Sequence, residues 1–211
     1  MSRSKRGPGR RGYHHGNLSE ALVQAALDLI AKYGPGGFSF AEVTRSVGVS
    51  PAAPYRHFRD RDALMADIAR RGFELFAEEL TLAWNEGQPD AFAAFKNVGQ
   101  AYLGFARREP AYYAAMFEAR LPLDEHRELA RADDQAFAVL RRAAEALIAE
   151  LPKERRPPAL MMSLHVWALC HGITSLFGRG DDARRKVPMR PEDLLEAGVL
   201  IYLEGLGLGG G

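Results

Sequence analysis

Residues Ser39 to Leu64 read SFAEVTRSVGVSPAAPYRHFRDRDAL, and this stretch decides the fold. It opens with Ser39, a favourable N-cap, and Glu42 follows three residues later, which predicts a capping box at the start of a short helix. Gly48 follows the last apolar residue of that helix, as glycine commonly does where a helix ends. The stretch therefore begins with one short, well-delimited helix.

A second short helix is predicted directly after this one. Ser50 is a good cap for it, and Pro51 suits its first position, where a missing N–H costs nothing. Tyr55 and Phe58 are three residues apart and are expected to anchor its inner face, and Asp60 caps the helix that follows. Two short helices across a tight turn are typical of a helix-turn-helix, whose second helix enters the DNA major groove.

This segment resembles the DNA-binding domain of the TetR (TetR/AcrR) family of bacterial repressors. The residues that carry the resemblance occur in the order of the family pattern, with no insertion or deletion between them: Val43, Gly48, Val49, Ser50, Tyr55, Arg56, His57, Phe58, Arg61 and Leu64. The resemblance implies a transcriptional regulator that binds double-stranded DNA. In that family a lysine usually stands where Arg61 stands, and arginine keeps the positive charge that binds phosphate.

Position on the two helices predicts which residues contact DNA, since phosphates and bases are reached from the turn and from the start of the second helix. The predicted set is Arg45, Ser50, Pro51, Ala52, Ala53, Tyr55, Arg56, His57 and Arg61. The stretch from Pro51 to Pro54 offers no side chain that hydrogen-bonds a base edge. Alanine methyls can still pack on thymine, and Arg45 can reach guanine.

Charge is distributed unevenly along the 211 residues. Residues 1–71 hold 12 Lys/Arg and 6 Asp/Glu, so this part carries +6 while the whole chain carries only +1. A basic front and an acidic rear predict a head that binds a polyanion and a body that does not.

Composition also indicates in which cellular compartment the protein works. The single cysteine, Cys170, permits no internal disulfide, which fits a reducing cytoplasm. We expect no secretion signal and no membrane partner, because no apolar run is expected to approach the roughly 20 residues of a span. The expected location is cytoplasmic.

Helix-breaking segments rich in Gly and Pro divide the chain into four parts, all of them helical or irregular. The predicted parts are a flexible basic arm at 1–17, a three-helix DNA-binding domain at 18–71, a helical bundle for ligand binding and dimerisation at 72–206, and a Gly-rich tail at 207–211. The fold class is all-α. A long helix from Asp60 to about Gly87 belongs to both domains and links them mechanically. The arm is either a solubilising tail or a DNA-contacting arm.

Large aromatic side chains concentrate in the body. They either form ordinary bundle core or enclose an apolar ligand site, and the TetR resemblance implies an inducer pocket there. The residues assigned to this pocket are Phe95, Tyr102, Phe105, Tyr113, Met116, Phe117, Phe137, Trp167 and His171. The spacing of Trp167, His171 and Gly172 also resembles the C-terminal domain class named WHG.

The last two helices are more apolar than one core-facing side requires, and the resemblance implies that they pair in a homodimer. Their apolar residues are Leu164, Trp167, Leu169, Ile173, Leu176, Leu194, Leu195, Val199, Tyr202 and Leu203. A twofold dimer would place two heads on a palindromic operator.

The leading hypothesis is a homodimeric repressor released from its operator by a small, apolar or aromatic molecule. The alternatives are a nonspecific nucleoid-type DNA binder and, with less support, a small enzyme that uses the helical pocket. We expect no enzyme, no cofactor and no metal, because the sequence shows no paired carboxylates, no metal-spaced His/Cys set and no nucleophile with its base.

Overall fold

A computed structural model describes residues 15–177 and 188–206. Within these ranges the chain is helical and contains no strand. The α-helices are α1 (His15–Tyr33), α2 (Phe40–Val47), α3 (Arg61–Trp84), α4 (Ala91–Arg108), α5 (Pro110–Phe117), α6 (Arg127–Ala149), α7 (Ala159–Phe177) and α8 (Pro191–Leu206). Short 3₁₀ helices lie at Pro54–Arg56, Asn85–Gly87, Leu123–Glu125 and Lys153–Arg155. The all-α fold class is confirmed.

Side-chain caps start three of the helices, two of them, Ser39 and Asp60, at the predicted places. Ser39, Asp60 and Asp90 each accept a hydrogen bond from the backbone N–H three residues ahead, at 3.3, 2.8 and 2.8 Å. Each cap satisfies a donor that the first helical turn leaves unpaired and is worth about 1 kcal/mol. These short-range bonds set where α2, α3 and α4 begin.

The α3 helix runs through both parts of the molecule. It contacts α1, α4, α5 and α6, with Leu64 and Ile68 buried in its first half and Phe76 and Leu80 buried in its second half. These side chains belong to one continuous buried cluster. The head (α1, α2, the segment from 48 to 60 and the start of α3) and the body (the rest) therefore share a core, and the boundary at residue 71 stays a prediction.

Two predicted segments fall wholly or partly outside the described residues. The predicted basic arm overlaps α1 at residues 15–17, and residues 1–14 lie outside the description, as does the tail at 207–211. At the other end of α3, the predicted link to Gly87 ends as an α-helix at Trp84 and continues as one 3₁₀ turn.

The expectation that no segment is long and apolar enough to span a membrane is wrong for α7. Its 19 residues contain no Asp, Glu, Lys or Arg and reach a mean hydropathy of 1.4, so the helix passes by length and composition. Core helices of soluble proteins pass the same test. Here Met162, Val166, Cys170 and Ile173 are buried against the bundle, so this is weak support for a span.

Candidate nucleic-acid interface and ligand cavity

The α2 helix is held at both of its ends. The Ser39 N–H donates to Glu42 Oε2 at 2.7 Å while the Glu42 N–H donates to Ser39 Oγ at 3.3 Å, which completes the capping box. The hydrogen bond from the Ser39 backbone lowers the pKa of the Glu42 carboxyl. At the other end Gly48 has φ 73°, a left-handed conformation that suits glycine, and its N–H donates to the Arg45 carbonyl at 3.1 Å.

The second helix of the pair is shorter than predicted. Residues 51–53 form a turn, and only Pro54–Arg56 is helical, as a single 3₁₀ turn. An α-helix would require an N–H at residue 54 to reach the Ser50 carbonyl, and proline has none. The Ala53 N–H binds that carbonyl instead, at 3.0 Å. The predicted Ser50 cap is wrong, because the helix starts after Ala53 without a side-chain cap.

Most of the predicted DNA-contacting residues are accessible in this arrangement. Arg45, Ser50, Pro51, Ala52, Tyr55 and Arg56 are exposed, while Ala53, His57 and Arg61 are partly buried. Two guanidinium groups and two hydroxyls thus reach solvent close to the turn, where phosphate oxygens could accept their hydrogen bonds. Contact with DNA stays a prediction for each of them.

Tyr55 was expected to anchor the core, and this is wrong. Its ring is 60% exposed and meets Phe40 edge-on, with centroids 5.3 Å apart. Pro54 and Phe58 are buried at this point instead. Because Pro54 fills the inward position of a tight turn, the next residue faces out, and both the ring and the hydroxyl of Tyr55 remain available at the surface.

Arg61 is bound within the head. Its Nε donates to the Phe38 carbonyl at 3.0 Å, and its Nη2 donates to the Pro35 carbonyl. The guanidinium also lies over the Phe38 ring, 4.8 Å from the centroid, and Nη1 pairs with Asp62 at 3.4 Å. These contacts tie the loop before α2 to the start of α3, so the arginine has a structural role that the sequence did not reveal.

An ionic network joins the head to the link helix. Arg71 on α3 donates twice to Glu20 on α1, at 2.7 and 2.9 Å, and its Nε donates to Asp67 at 2.8 Å. The hydrogen bonds to Glu20 contribute most to raising the pKa of Arg71, and Asp67 raises it as well. The hydrogen bonding between Arg71 and Glu20 also lowers the pKa of the Glu20 carboxyl. Beside it the body helix α5 contacts both α1 and α3. The orientation of α1 on α3 is thus set by charged pairs as well as by apolar packing.

In the body, Trp167 is the centre of an aromatic cluster. Its ring lies 5.2 Å from Phe137, 5.8 Å from Tyr102, 6.0 Å from Phe117 and 6.3 Å from Phe76, counting between centroids. The arrangement is mostly edge-to-face, the geometry that aromatic pairs prefer. Most of the residues assigned to the pocket from the sequence therefore pack against one another as core.

Three polar groups meet at the edge of this cluster. The Tyr113 hydroxyl lies 2.8 Å and the Tyr102 hydroxyl 3.1 Å from His171 Nδ1, and the two hydroxyls are 3.3 Å apart. Burial raises the pKa of Tyr113 to about 12 and raises that of Tyr102 further. Both tyrosines therefore stay protonated near neutral pH and act as hydrogen-bonding hydroxyls.

A cavity of about 850 Å³ opens beside these groups. Its described lining comes from α1, α4, α5, α7, α8 and residues next to them: Ala31, Leu103, Ala106, Arg107, Pro110, Tyr113, Glu118, His171, Thr174, Ser175, Phe177, Pro191 and Glu192. Across it, Arg107 Nη1 on α4 donates to Glu192 Oε1 on α8 at 2.8 Å. The cavity therefore lies between the head helix α1 and the body.

Of the nine residues assigned to the pocket from the sequence, only Tyr113 and His171 line this cavity. Phe105 packs on Phe76 with centroids 5.0 Å apart, and Phe95 faces a much smaller crevice beside α8. Met116 lies against Gly72 of α3. Two alanines and two prolines belong to the wall, and neither residue type stands out in a sequence as a ligand residue.

A face of α7 and α8 carries exposed apolar side chains. Four residues are at least half exposed: Leu160, Leu164 and Leu176 on α7, at 53%, 51% and 55%, and Ile201 on α8, at 70%; Met161 on α7 follows at 49%. Of the ten residues expected in the dimer interface, Ile173, Leu195, Val199 and Leu203 are buried within the protomer instead. The remaining exposed face is what a second chain could cover.

The part of the chain in view holds no cluster of three or more His, Cys, Asp or Glu side chains that could bind a metal ion. Cys170 is buried, and burial raises the pKa of its thiol to about 12. That thiol is therefore protonated and unreactive at neutral pH.

Two family models match the chain. One is described as "Bacterial regulatory proteins, tetR family" and matches residues 22–68, the head. The other is described as "Tetracyclin repressor-like, C-terminal domain" and matches residues 95–201, most of the body. Together they cover more than half of the sequence. Neither description names the WHG class, so that finer assignment stays a prediction.

Individual proteins resemble the chain over most of its length. The uncharacterized HTH-type transcriptional regulator YobS of Bacillus subtilis is 25% identical over 195 residues, which is 90% of this chain and 93% of that protein. The nucleoid occlusion factor SlmA of Edwardsiella ictaluri is 26% identical over 177 residues, covering 78% and 85%. A solved structure of a protein of unknown function from Rhodococcus sp. RHA1 superimposes with a TM-score of 0.75 and 28% identity, covering 93% of this chain and 98% of that one.

Proposed function

The chain belongs to the TetR family of bacterial regulatory proteins, and on this premise we propose that it is a homodimeric repressor that a small molecule releases from a palindromic operator. The observation that carries the proposal is the position of the large cavity. It has α1 of the DNA-binding head on one side and α4, α5, α7 and α8 of the body on the other. A molecule bound there touches both parts at once.

The exposed groups around the turn support DNA binding by this head. Arg45, Tyr55 and Arg56 are exposed next to a short, tight segment that begins with small side chains. The arginines supply charge for phosphates, and the alanines let the backbone come close to the groove floor. Base readout should come mainly from Arg45 and from DNA shape.

The apolar face of α7 and α8 supports a dimer. Leu164, Leu176 and Ile201 are more than half exposed and lie on the two helices that pair in the proposed interface. A twofold arrangement buries each of them twice and fixes the spacing of the two heads. Palindromic half-sites at a matching spacing would then be preferred.

Coupling between ligand and DNA would run through α5 as well as α3. The α5 helix carries Tyr113 in the cavity wall and places Tyr112 and Met116 against Gly72 of α3. A ligand that binds better when the heads have moved apart shifts the population away from the DNA-binding arrangement. The shared core makes the two ends of α3 move together.

The ligand should be a small molecule with an apolar or aromatic part, because the cavity wall is mainly alanine, leucine, proline and aromatic carbon. We place the protein in the cytoplasm, where the DNA is, and assign it no enzymatic activity. The charged pair Arg107–Glu192 and the Tyr113–His171 contact are then binding groups rather than catalytic ones.

One relative favours a second candidate function. The name of the nucleoid occlusion factor that resembles this chain over 78% of its length indicates a role on the nucleoid. A binder of that kind would use the same head on DNA without needing release by a ligand. The two candidates differ in whether a ligand changes DNA affinity.

Selection of bound sequences from a random duplex pool tests the proposal, carried out with the full chain at about 50 and about 200 mM salt. Recovery of a palindrome is expected. A steep fall of affinity with salt and no recovered motif would contradict sequence-specific repression. A screen of apolar compounds against the selected operator then follows, and a compound that binds saturably yet leaves operator affinity unchanged would favour the second candidate.

A further inference from the structure

The hydrogen-bond geometry around His171 determines which of its two nitrogens carries the proton. Three contacts join Nδ1, the Tyr102 hydroxyl and the Tyr113 hydroxyl, all between 2.8 and 3.3 Å. Each contact can hold one proton. With Nδ1 as acceptor, both hydroxyl protons find partners inside the group. With Nδ1 protonated, one of the two hydroxyls would be left without an acceptor there.

Burial makes that difference decisive. Tyr102 is only 2% exposed and Tyr113 only 7%, so water does not substitute for a missing partner at low cost. A further hydroxyl, that of Thr174, lowers the pKa of Tyr113 through a side-chain hydrogen bond, and so acts towards Tyr113 as a donor rather than as an acceptor of its proton. The neutral imidazole therefore carries its proton on Nε2.

That Nε2–H is an unused donor of the site. No residue in the ranges 15–177 and 188–206 accepts a hydrogen bond from it, although His171 lines the cavity. The described wall combines apolar residues, Leu103, Ala106 and Phe177 among them, with the hydroxyls of Thr174 and Ser175 and with charged side chains. A partly buried donor beside apolar side chains is suited to one acceptor oxygen on an otherwise apolar molecule.

The charged residues of the wall distinguish between two kinds of acceptor oxygen. The only guanidinium in the described lining, that of Arg107, already binds Glu192 at 2.8 Å. A carboxylate ligand would have to displace Glu192 and would meet its negative charge. A carbonyl oxygen needs neither step, so it is favoured over an anion.

We infer that the ligand of this cavity is a neutral molecule with an apolar body and one carbonyl oxygen, and that His171 Nε2–H binds this oxygen. The inference rests on the proposed function, since it names the chemical class of the proposed inducer. Ketones, esters and lactones share the required group.

Matched probes of nearly equal size test this class. The ketone 4-phenyl-2-butanone, the hydrocarbon n-butylbenzene and the acid 3-phenylpropanoate differ chiefly at the polar end. Binding is followed by fluorescence of Trp167, which contacts Tyr102 and Phe117 in the cluster, after Trp84→Phe removes the other tryptophan. We expect the ketone to bind about tenfold more tightly than either of the others.

Variants of His171 assign the effect to its donor. His171→Phe should remove the tenfold preference for the ketone, and His171→Gln should retain most of it, because the glutamine amide N–H stands near the position of Nε2. His126→Phe, at the start of α6 and outside the lining, is the matched control and should change nothing. Equal affinity for ketone and hydrocarbon, tighter binding of the acid, or no saturable ketone binding would each overturn the inference.

Nitrogen-15 chemical shifts of the histidine rings give a second readout that needs no ligand. They should show the Nε2–H tautomer at His171, and an Nδ1–H tautomer would contradict the proton assignment. Operator affinity is measured on the same samples. Specific DNA binding without ketone preference would overturn only the ligand class, whereas ketone preference without any effect on DNA would leave the class standing and overturn the proposed release.

Discussion

At the scale of single residues, Arg61 shows how one side chain serves as a clamp. Its guanidinium binds the carbonyls of Phe38 and Pro35 and lies over the Phe38 ring. These partners lie 23 and 26 residues away in sequence. The loop before α2 and the start of α3 are therefore held at a fixed distance, and the segment predicted to contact DNA lies between them.

Arg61→Ala should destabilise the fold by about 1.5–3 kcal/mol, because two buried carbonyls lose a charged donor. Chemical denaturation measures this. Arg59→Ala is the control, since Arg59 is 71% exposed and pairs only with Asp60 in the described chain, and a change near zero is expected.

DNA titrations with salt separate the two roles that an arginine can have. Arg56→Ala should reduce the slope of log affinity against log salt by about 0.9, with stability unchanged, if Arg56 binds one phosphate. Arg61→Ala should weaken binding with the slope unaltered. A reduced slope for Arg61→Ala would show that this guanidinium leaves its carbonyl partners and binds phosphate.

Tyr113 links the cavity to alkaline stability. Burial raises the pKa of its hydroxyl from near 10 to about 12 in the folded chain. The unfolded chain therefore loses this proton first, and stability falls as pH rises from 10 to 12, by up to about 1.4 kcal/mol per unit from this group. Urea unfolding between about pH 9 and about pH 11 should show a shallower fall in Tyr113→Phe. Equal slopes for the two proteins would contradict the raised pKa.

How well the sequence predicts the role of a single residue depends on how far away its partners lie along the chain. The Ser39 and Asp60 caps were predicted correctly because a cap and its donor are three residues apart. The prediction for Tyr55 was wrong and that for Arg61 was incomplete, because the surroundings of both residues come from distant parts of the chain. An aromatic at helical spacing does not show whether a proline beside it has already filled the core.

At the scale of elements, α5 connects the head helix α1 with the α3 helix. It packs on α1 and α3 together, and it approaches α3 closely at Gly72. A Cβ at residue 72 would lie 2.8 Å from Met116 Sδ and 3.3 Å from Tyr112 Cβ. The absence of a side chain at this one position sets how near the two helices come.

Gly72→Ala should therefore cost about 1–3 kcal/mol of stability despite alanine's better helix propensity. Thermal or urea unfolding measures the cost, and adding Met116→Ala should recover part of it. The control is Gly104→Ala in α4, whose Cβ would meet chiefly the flexible end of Arg108, at 2.7 Å. That variant should be neutral or more stable by up to about 1 kcal/mol.

Helix positions followed from local signals better than helix lengths did. Caps located the starts of α2 and α3, yet the second helix of the DNA-binding pair was predicted too long. Pro54 explains the difference, because a proline four residues after Ser50 cannot donate the backbone hydrogen bond that an α-helix needs at its first turn. Two prolines in four residues therefore favour a turn over a full α-helix at this point.

At the scale of the whole molecule, the apolar face of α7 and α8 is exposed in the single chain and would be covered in the proposed dimer. It also explains why α7 is apolar enough to resemble a membrane span. One side of the helix packs inside the protomer, and the other would pack against a second copy. A helix covered on both sides has no need of charged residues.

Leu164→Glu combined with Ile201→Glu should separate the proposed dimer. Burial of each such side chain is worth about 1.5–3 kcal/mol, and twofold symmetry counts each twice, so the dimer dissociation constant should rise at least about a hundredfold. Analytical ultracentrifugation measures the change, and operator affinity should fall with it. Leu82→Glu on α3, at a residue 79% exposed, is the control. An unchanged association state in the double variant would show that the chains meet elsewhere.

The cavity is the part of the site that the sequence reveals least. Its charged pair joins residues 85 positions apart, and its walls include Ala31 from the head. The aromatic residues that seemed to mark a pocket pack instead around Trp167. Only tertiary structure shows which small residues leave space and which large ones fill it.

Ala31 in the cavity wall has a consequence for how a cell carrying this protein would respond to a signal. Because the head supplies part of the cavity wall, a ligand that lowers operator affinity must itself bind more weakly to protein on DNA, by the same factor. Protein on DNA would then need a higher ligand concentration than free protein before it responds. Extra copies of the operator on a plasmid, by keeping more of the protein on DNA, would therefore raise the ligand concentration at which half of the protein in the cell carries ligand, with no change in the protein itself.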